Sequence, residues 1–106
     1  MDHDITAREL AERLRQPNPP LLVDVREPDE FAFAHLEGAL LIPLQALPQR
    51  LDELDKTREV VLHCHHGVRS LGALLVLRRA GFTKLLNLRG GIDAWSKDVD
   101  PSVPRY

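Results

Sequence analysis

Short apolar runs separated by polar turns set the hydrophobic pattern of this chain. Four runs, each four or five residues long, are mostly apolar and lie at 21–25, 39–42, 60–63 and 84–88. Runs of this length predict strands that are buried on both faces. The intervening stretches hold apolar residues at helical spacing and predict helices. This alternation predicts a parallel sheet, because parallel strands need a crossover between them.

Capping and breaking residues mark the ends of the predicted helices. Thr6 and Glu9 have the spacing of a capping box, and they open a helix predicted over 6–15 that the following proline-rich loop ends. Gly81 is placed to end the longest helix. Further helices are predicted at 29–34, 48–54, 70–80 and 92–96, and an extended tail at 98–106.

The pattern predicts an α/β fold, a small doubly wound parallel sheet of about five strands with helices on both faces. The expected domain organisation is one domain over residues 1–106, with 98–106 as an extended C-terminal tail. Ligands of such sheets bind beyond the carboxyl ends of the strands. Functional residues are therefore expected at those ends.

Composition and charge narrow the classes of function. The chain has 106 residues, 43% of them hydrophobic, and a net charge of −2, which gives no electrostatic reason to expect nucleic acid or an anionic membrane as the partner. No apolar stretch reaches the roughly 20 residues of a membrane span. The N-terminus lacks a signal-peptide pattern, and a single cysteine fits a reducing compartment. A cytoplasmic location is expected.

Cys64, the only cysteine, follows the run 60–63 and opens a glycine-containing turn before a helix. The first amides of a helix have no intrahelical partners and carry partial positive charge. Gly67 lets the backbone turn so that successive amides converge on an anion. Such surroundings favour a reactive thiolate over a thiol. The alternative is a buried, inert cysteine.

The length of this turn separates two chemistries. Four residues separate Cys64 from Arg69, namely His65, His66, Gly67 and Val68. Cysteine-dependent phosphatases also place a cysteine first and an arginine last, but with five residues between them. The shorter loop makes a tighter cradle, which suits one sulfur atom on the thiol better than a tetrahedral phosphate. Loop length therefore favours sulfur transfer over phosphate hydrolysis.

Four ordered blocks, spread over nearly the whole chain, resemble the single-domain rhodanese-like sulfurtransferases. These blocks are Leu22-Val23-Asp24-Val25-Arg26-Glu27 with Glu30-Phe31, His35-Leu36-Glu37-Gly38-Ala39, the loop Cys64 to Ser70 in the form C-x-x-G-x-R-S, and Asn87 to Trp95. The second block departs from the family's usual Gly-His-Ile-Pro-Gly-Ala, since Ala34 replaces its glycine and Glu37 its proline.

The resemblance implies a two-step transfer with Cys64 as the nucleophile. The thiolate takes a sulfur atom from a small anionic donor such as thiosulfate, or from a persulfide, and passes it to cyanide, a thiol or a sulfur-carrier protein. The persulfide-binding loop is expected to comprise His65, His66, Gly67, Val68, Arg69 and Ser70. No metal or organic cofactor is expected.

Several residues have both a structural and a functional interpretation. Arg69 is expected to hold the turn, to orient the donor, or to do both. Ser70 is expected to cap the helix and to donate from its hydroxyl to the sulfur. Asp24 and Arg26 are candidate supporting residues near the site, and an ion pair is the favoured role for both. Residues 63–66 hold metal-ligand types, but adjacent residues in a strand and turn are expected to diverge, so no metal site is predicted.

Two other functions remain open at this point. One is a cysteine-dependent phosphatase or arsenate reductase of similar architecture, and the other is a non-catalytic rhodanese-like binding module. The tail is similar to the end of rhodanese domains fused to adenylyltransferases that activate sulfur-carrier proteins. It is expected either to serve a partner or to pack as a strap.

Overall fold

Five parallel strands form the centre of the molecule, in the order β1-β5-β4-β2-β3. The computed structural model describes residues 3–106. The strands are β1 Asp4–Ile5, β2 Leu21–Asp24, β3 Leu40–Leu41, β4 Val60–His63 and β5 Leu85–Leu88. The four strands predicted individually are all present. The fifth, β1, is only two residues long, which is too short for a periodic signal.

Within residues 3–106, four α-helices connect and cover the strands. They are α1 Ala7–Leu14, α2 Pro28–Phe33, α3 Val68–Arg79 and α4 Gly91–Asp98, and two 3₁₀ stretches lie at Leu44–Gln49 and Leu51–Glu53. None of the helices within residues 3–106 combines the length and apolar character needed to cross a membrane.

The sheet is buried on both faces, which confirms the predicted doubly wound α/β architecture. Val23 and Leu62 face one core with α3 and the 3₁₀ stretches, whereas Leu22 and Val61 face the other with α1 and α4. The alternation follows from the two-residue period of a strand. These four side chains are at most 3% exposed.

The predicted capping box at the start of α1 and the predicted glycine at the end of α3 are confirmed. Thr6 Oγ1 accepts from the Glu9 amide at 3.1 Å, and Glu9 Oε1 accepts from the Thr6 amide at 2.8 Å, so the capping box is complete. Gly81 has a φ of +97° after α3. Its amide donates to Arg78 O and that of Phe82 to Leu77 O, which is a Schellman motif.

One predicted helix is wrong. In place of an α-helix over 48–54, the chain forms the two short 3₁₀ stretches, with Pro48 inside the first. Proline lacks an amide proton and crowds the preceding turn, so a continuous α-helix is not sustained there. Helix α4 also runs two residues beyond the predicted 92–96, to Asp98.

The tail is not simply extended. A turn at residues 100–102 follows α4, and the chain then runs back along that helix. Ser96 Oγ donates to Val103 O at 2.7 Å, and Arg105 Nε donates to Asp93 Oδ1 at 3.0 Å. The tail therefore packs as a strap on the domain surface.

Candidate active site

Cys64 directly follows β4, at the carboxyl end of an inner strand of the sheet. Its side chain is buried, with 1% of the residue exposed. Ligands of open parallel sheets bind at this edge, where the strand ends meet the first turns of the helices. The cysteine thus lies at the floor of a loop that joins β4 to α3.

Two backbone amides and one hydroxyl converge on Cys64 Sγ. The amide of Gly67 donates to it at 3.1 Å and the amide of Ser70 at 3.3 Å. The Ser70 hydroxyl lies 3.4 Å from the same sulfur. Donors directed at one atom stabilise negative charge there more than they stabilise a neutral thiol. This cradle can hold a thiolate before reaction.

The loop amides face inward because helix α4 holds the loop carbonyls from the outside. The amide of Ile92 donates to Cys64 O at 2.9 Å, and the amide of Asp93 donates to His65 O at 3.1 Å. Gly91 begins α4 with a φ of +60°, and a Cβ there would strike both carbonyls. The approach of α4 to the loop therefore depends on this glycine.

The expectation that Ser70 caps α3 is wrong. The helix begins at Val68, and its N-cap is Gly67, which has a φ of +104° in the left-handed region. Ser70 therefore lies in the first turn, where its side chain points to Cys64 rather than to a free amide. Sequence reasoning placed the start two residues late because Ser70 is a common cap type.

Asn87 on β5 completes the cradle, a role that its place in the fourth block of the family resemblance did not predict. The Ser70 hydroxyl donates to Asn87 Oδ1, and Asn87 Nδ2 donates to Gly67 O at 3.3 Å. Asn87 is 6% exposed. Its signal was available, since it is the only polar residue in the strand 85–88, and a buried polar side chain needs partners.

Arg69 forms a two-point ion pair with Glu30 of α2. Nη1 lies 2.6 Å from Oε1, and Nη2 lies 2.9 Å from Oε2. The pair with Arg69 is the main cause that lowers the pKa of Glu30 to about 2, and in turn it raises the pKa of Arg69. Of the two expected roles of Arg69, this contact supports holding the turn.

Tyr106 reaches the loop from the tail. Its hydroxyl donates to Glu30 Oε2 at 2.7 Å and accepts from Arg26 Nη1 at 2.8 Å. Its ring stacks on His65, with centroids 3.9 Å apart and planes 6° apart. Burial is the main cause that lowers the pKa of His65. No sequence signal linked residue 106 to the loop, because its contact with His65 joins residues that are far apart in the sequence.

Asp24 and Arg26 form a fully buried ion pair, with Nη2 2.6 Å from Oδ2. Arg26 also donates to Ala34 O at 2.7 Å. His63 lies beside the pair, with Nε2 3.7 Å from Asp24 Oδ2. These contacts connect β2, β4 and the end of α2 beneath the loop. Asp24 and Arg26 therefore contact the site indirectly, through these elements and through the hydrogen bond of Arg26 to Tyr106.

His65 and His66 lie together at the rim, where His66 has 62% of its side chain exposed. Their ring centroids are 3.9 Å apart, so the expectation that adjacent side chains diverge is wrong for this pair, since the turn breaks the alternation of the strand. Donor atoms of these histidines and Asp93 lie within 4.8 Å of one another. Lys97 and Arg105 already contact the Asp93 carboxylate and compensate its charge, which disfavours a metal cation.

The family model of the rhodanese-like domain matches residues 6–98. A sulfurtransferase from Allochromatium vinosum is 40% identical over 103 residues, which cover 97% of this chain and 96% of that protein. The probable adenylyltransferase/sulfurtransferase MoeZ of Mycobacterium tuberculosis is 40% identical over 104 residues, but these residues cover 26% of its length and 96% of this chain.

A solved structure gives the same result. The crystal structure of a rhodanese-like domain protein from Staphylococcus aureus superposes with a TM-score of 0.85 at 31% identity, covering 97% of both chains. The match to the family model extends over most of the chain, including the Cys64 loop and α4. This chain belongs to the rhodanese-like family.

Proposed function

We propose that residues 1–106 act as one rhodanese-like domain that transfers sulfane sulfur through a persulfide on Cys64. The donor is thiosulfate or a persulfide, and the acceptor is cyanide, a thiol or a sulfur-carrier protein. The family and its sulfurtransferase relatives support sulfur transfer in general. The observation that carries the proposal is the pair of amides that donate to Cys64 Sγ at 3.1 and 3.3 Å, with the Ser70 hydroxyl 3.4 Å from the same atom.

The first step forms the persulfide. The Cys64 thiolate attacks the outer sulfur of thiosulfate, a bond forms between the two sulfur atoms, and the sulfur–sulfur bond of thiosulfate breaks. Sulfite leaves with the bonding electron pair, so no external oxidant or reductant is needed. The negative charge stays on the new terminal sulfur, where the loop amides and the Ser70 hydroxyl can stabilise it.

The second step regenerates the thiolate. A nucleophilic acceptor attacks the terminal sulfur, and Cys64 leaves with the electron pair of the broken sulfur–sulfur bond. The cradle stabilises this leaving group as it stabilised the nucleophile. A covalent intermediate between two half-reactions gives ping-pong kinetics.

Intact-protein mass spectrometry tests the proposal. The reduced protein is incubated with thiosulfate beside a Cys64→Ser variant. A gain of one sulfur atom that a thiol reverses, absent from the variant, is the expected result. If thiosulfate gives no adduct, a persulfidated cysteine desulfurase is the second donor.

Two other results would refute sulfur transfer. No adduct with either donor would favour the non-catalytic binding module. Hydrolysis of p-nitrophenyl phosphate that disappears in Cys64→Ser, without any sulfur adduct, would favour the phosphatase chemistry that the short loop argues against.

A further inference from the structure

The stretch of chain that forms the active-site loop and α3 contains basic residues but no acidic ones. The 33 residues from 60 to 92 include five Lys and Arg residues and no Asp or Glu, although the whole chain has a net charge of −2. Arg69 pairs with Glu30 and Arg89 with Asp4, so the cations of this stretch without an acidic partner within residues 3–106 are Arg78, Arg79 and Lys84. This stretch contains the Cys64 loop and all of α3. Charge of one sign on one part of a surface attracts partners of the opposite sign.

Helix α3 presents an apolar stripe to solvent. Val68, Leu71 and Leu75 are 79%, 38% and 46% exposed. They occupy one face, because residues three, four and seven positions apart fall on the same side of a helix. Arg78 and Arg79 are exposed on the next turn and form no salt bridge within residues 3–106. We name these five residues the α3 face.

The α3 face begins at the active-site loop. Val68 follows Gly67, whose amide donates to Cys64 Sγ at 3.1 Å. Cys64 itself is only 1% exposed, so a large partner reaches its sulfur only by extending a narrow group into the loop. From Val68 to Arg79 the helix rises about 17 Å, enough to seat a peptide segment of that partner.

We propose that the α3 face docks an acidic protein that delivers sulfur to Cys64 from its own cysteine persulfide. Apolar side chains of the donor cover Leu71 and Leu75, and its carboxylates reach Arg78 and Arg79. The Cys64 thiolate attacks the terminal sulfur of the donor persulfide, and the donor thiolate leaves with the electron pair. This inference rests on the proposed sulfur transfer and identifies its donor class.

The chemistry of the face argues against other occupants. In a symmetric dimer through this face, the same patch would meet itself, and Arg78 and Arg79 would lie near their own copies. Nucleic acid offers phosphates for the arginines, but its charged backbone does not cover an apolar stripe. An acidic protein with apolar side chains complements both features.

Synthetic persulfides test the docking surface. Two peptides of equal length each carry one cysteine persulfide and leucines at the same positions, with aspartates in one and lysines in the other. Glutathione persulfide is the small donor. We expect kcat/KM for sulfur transfer to cyanide to be about tenfold higher with the acidic peptide, and this advantage to shrink with added salt.

Matched variants locate the effect. Arg78→Gln/Arg79→Gln should lower kcat/KM for the acidic peptide by about tenfold and leave glutathione persulfide unchanged within about twofold. The control, Arg8→Gln/Arg15→Gln, makes the same change of net charge on exposed residues of α1 and just after it, across the sheet. Leu75→Glu should also impair the acidic peptide, and thermal melts check that each variant folds.

Three results would overturn the inference and leave sulfur transfer intact. In the first, both double variants slow the acidic peptide equally. In the second, the wild-type protein is a dimer that Leu75→Glu dissociates, which identifies a self-interface. In the third, a DNA duplex competes with the acidic peptide for the face. If no donor, including thiosulfate and glutathione persulfide, forms a persulfide, the proposed function itself is wrong, and the docking inference fails with it.

Discussion

At the scale of single residues, the Ser70 hydroxyl has one proton and two acceptors. It donates to Asn87 Oδ1, and its oxygen lies 3.4 Å from Cys64 Sγ. A thiolate also attracts this proton, so the hydroxyl can turn toward the sulfur when negative charge develops there. The amides of Gly67 and Ser70 have no such choice, because the backbone fixes them on the sulfur. Ser70 therefore supplies the adjustable part of the cradle.

Ser70→Ala should slow sulfur transfer without unfolding the protein. It removes the hydroxyl that can turn toward the sulfur when charge develops there, and we expect kcat to fall by about tenfold, less than the largest losses seen for oxyanion donors because two amides remain. Ser96→Ala is the matched control, since Ser96 is also buried but donates to Val103 O in the tail. Steady-state kinetics with thiosulfate and cyanide measure both. An equal loss in the two variants would contradict a role for the hydroxyl.

Residues that act across long sequence distances were the least predictable part of the site. Cys64 and Gly67 were identified because they share one short loop, in which spacing carries information. Asn87 and Glu30 contact that loop from another strand and another helix, and neither spacing nor propensity in one sequence reports such a contact. Tyr106 is the extreme case, since its partner Glu30 lies 76 positions away.

At the scale of elements, the start of α4 shapes the cradle from the outside. The carbonyls of Cys64 and His65 accept from the first turn of this helix, and this turns the neighbouring amides toward the sulfur. Gly67 also has a positive φ, but a Cβ there would meet only ordinary contacts at 3.5 Å. Substitution at Gly67 is therefore disfavoured by its backbone angle, whereas Gly91 is constrained by both angle and space.

Gly91→Ala should separate α4 from the loop. The added Cβ strikes Cys64 O and His65 O, and a φ of +60° is strained for alanine. We expect a loss of more than about 1 kcal/mol in the free energy of unfolding and a fall in sulfur transfer. Gly72→Ala is the control, because its Cβ meets no atom within 4 Å and should stabilise α3 by up to about 1 kcal/mol. Urea unfolding measures both. An unchanged free energy of unfolding in Gly91→Ala would contradict the close contact between the start of α4 and the loop carbonyls.

Elements with local and complete sequence signals were predicted correctly, and elements altered by a proline or by a glycine with a positive φ were not. The strand 60–63 and the capping box of α1 were correct because their signals are local and complete. The helix predicted around Pro48 was wrong. Its apolar residues have helical spacing, but the proline prevents a continuous series of backbone hydrogen bonds. The predicted start of α3 was wrong because Gly67, with a positive φ, occupies the N-cap position in place of the usual polar residue.

At the scale of the whole molecule, the buried layer beneath the loop links stability to pH. His63 is fully buried beside the Asp24–Arg26 pair, and burial lowers its pKa to about 4, with Arg26 acting in the same direction and Asp24 opposing it. Between about pH 6.5 and 4, the unfolded chain therefore binds a proton at His63 that the folded chain does not. Stability must fall as the pH falls through this range.

The expected loss at His63 is on the order of 1–3 kcal/mol between pH 7.5 and 4.5. Urea unfolding across this range measures it. His63→Gln removes the titration and should flatten the dependence, whatever its effect on stability at pH 7.5. His35→Gln is the control, since His35 is an exposed histidine that donates to Phe31 O at 2.8 Å. Because the lowered pKa of His65 gives a slope of the same sign, only a slope of unchanged size in His63→Gln would show that another group is responsible.

The tail brings Tyr106 to the rim of the loop, where it contacts His65 and Glu30. Its ring covers His65 at 3.9 Å, and burial is the main cause of the lowered pKa of His65, with His66 second. Tyr106→Ala should therefore raise the pKa of His65 toward its ordinary value. Tyr106→Phe keeps the ring and should leave the pKa unchanged, although it loses the hydroxyl contacts to Glu30 and Arg26. NMR titration of the His65 ring protons separates the two variants. An identical pKa in both would mean that the stacked ring does not bury His65 in solution, and the strap would then contact the site only through the partners of the Tyr106 hydroxyl and of Arg105.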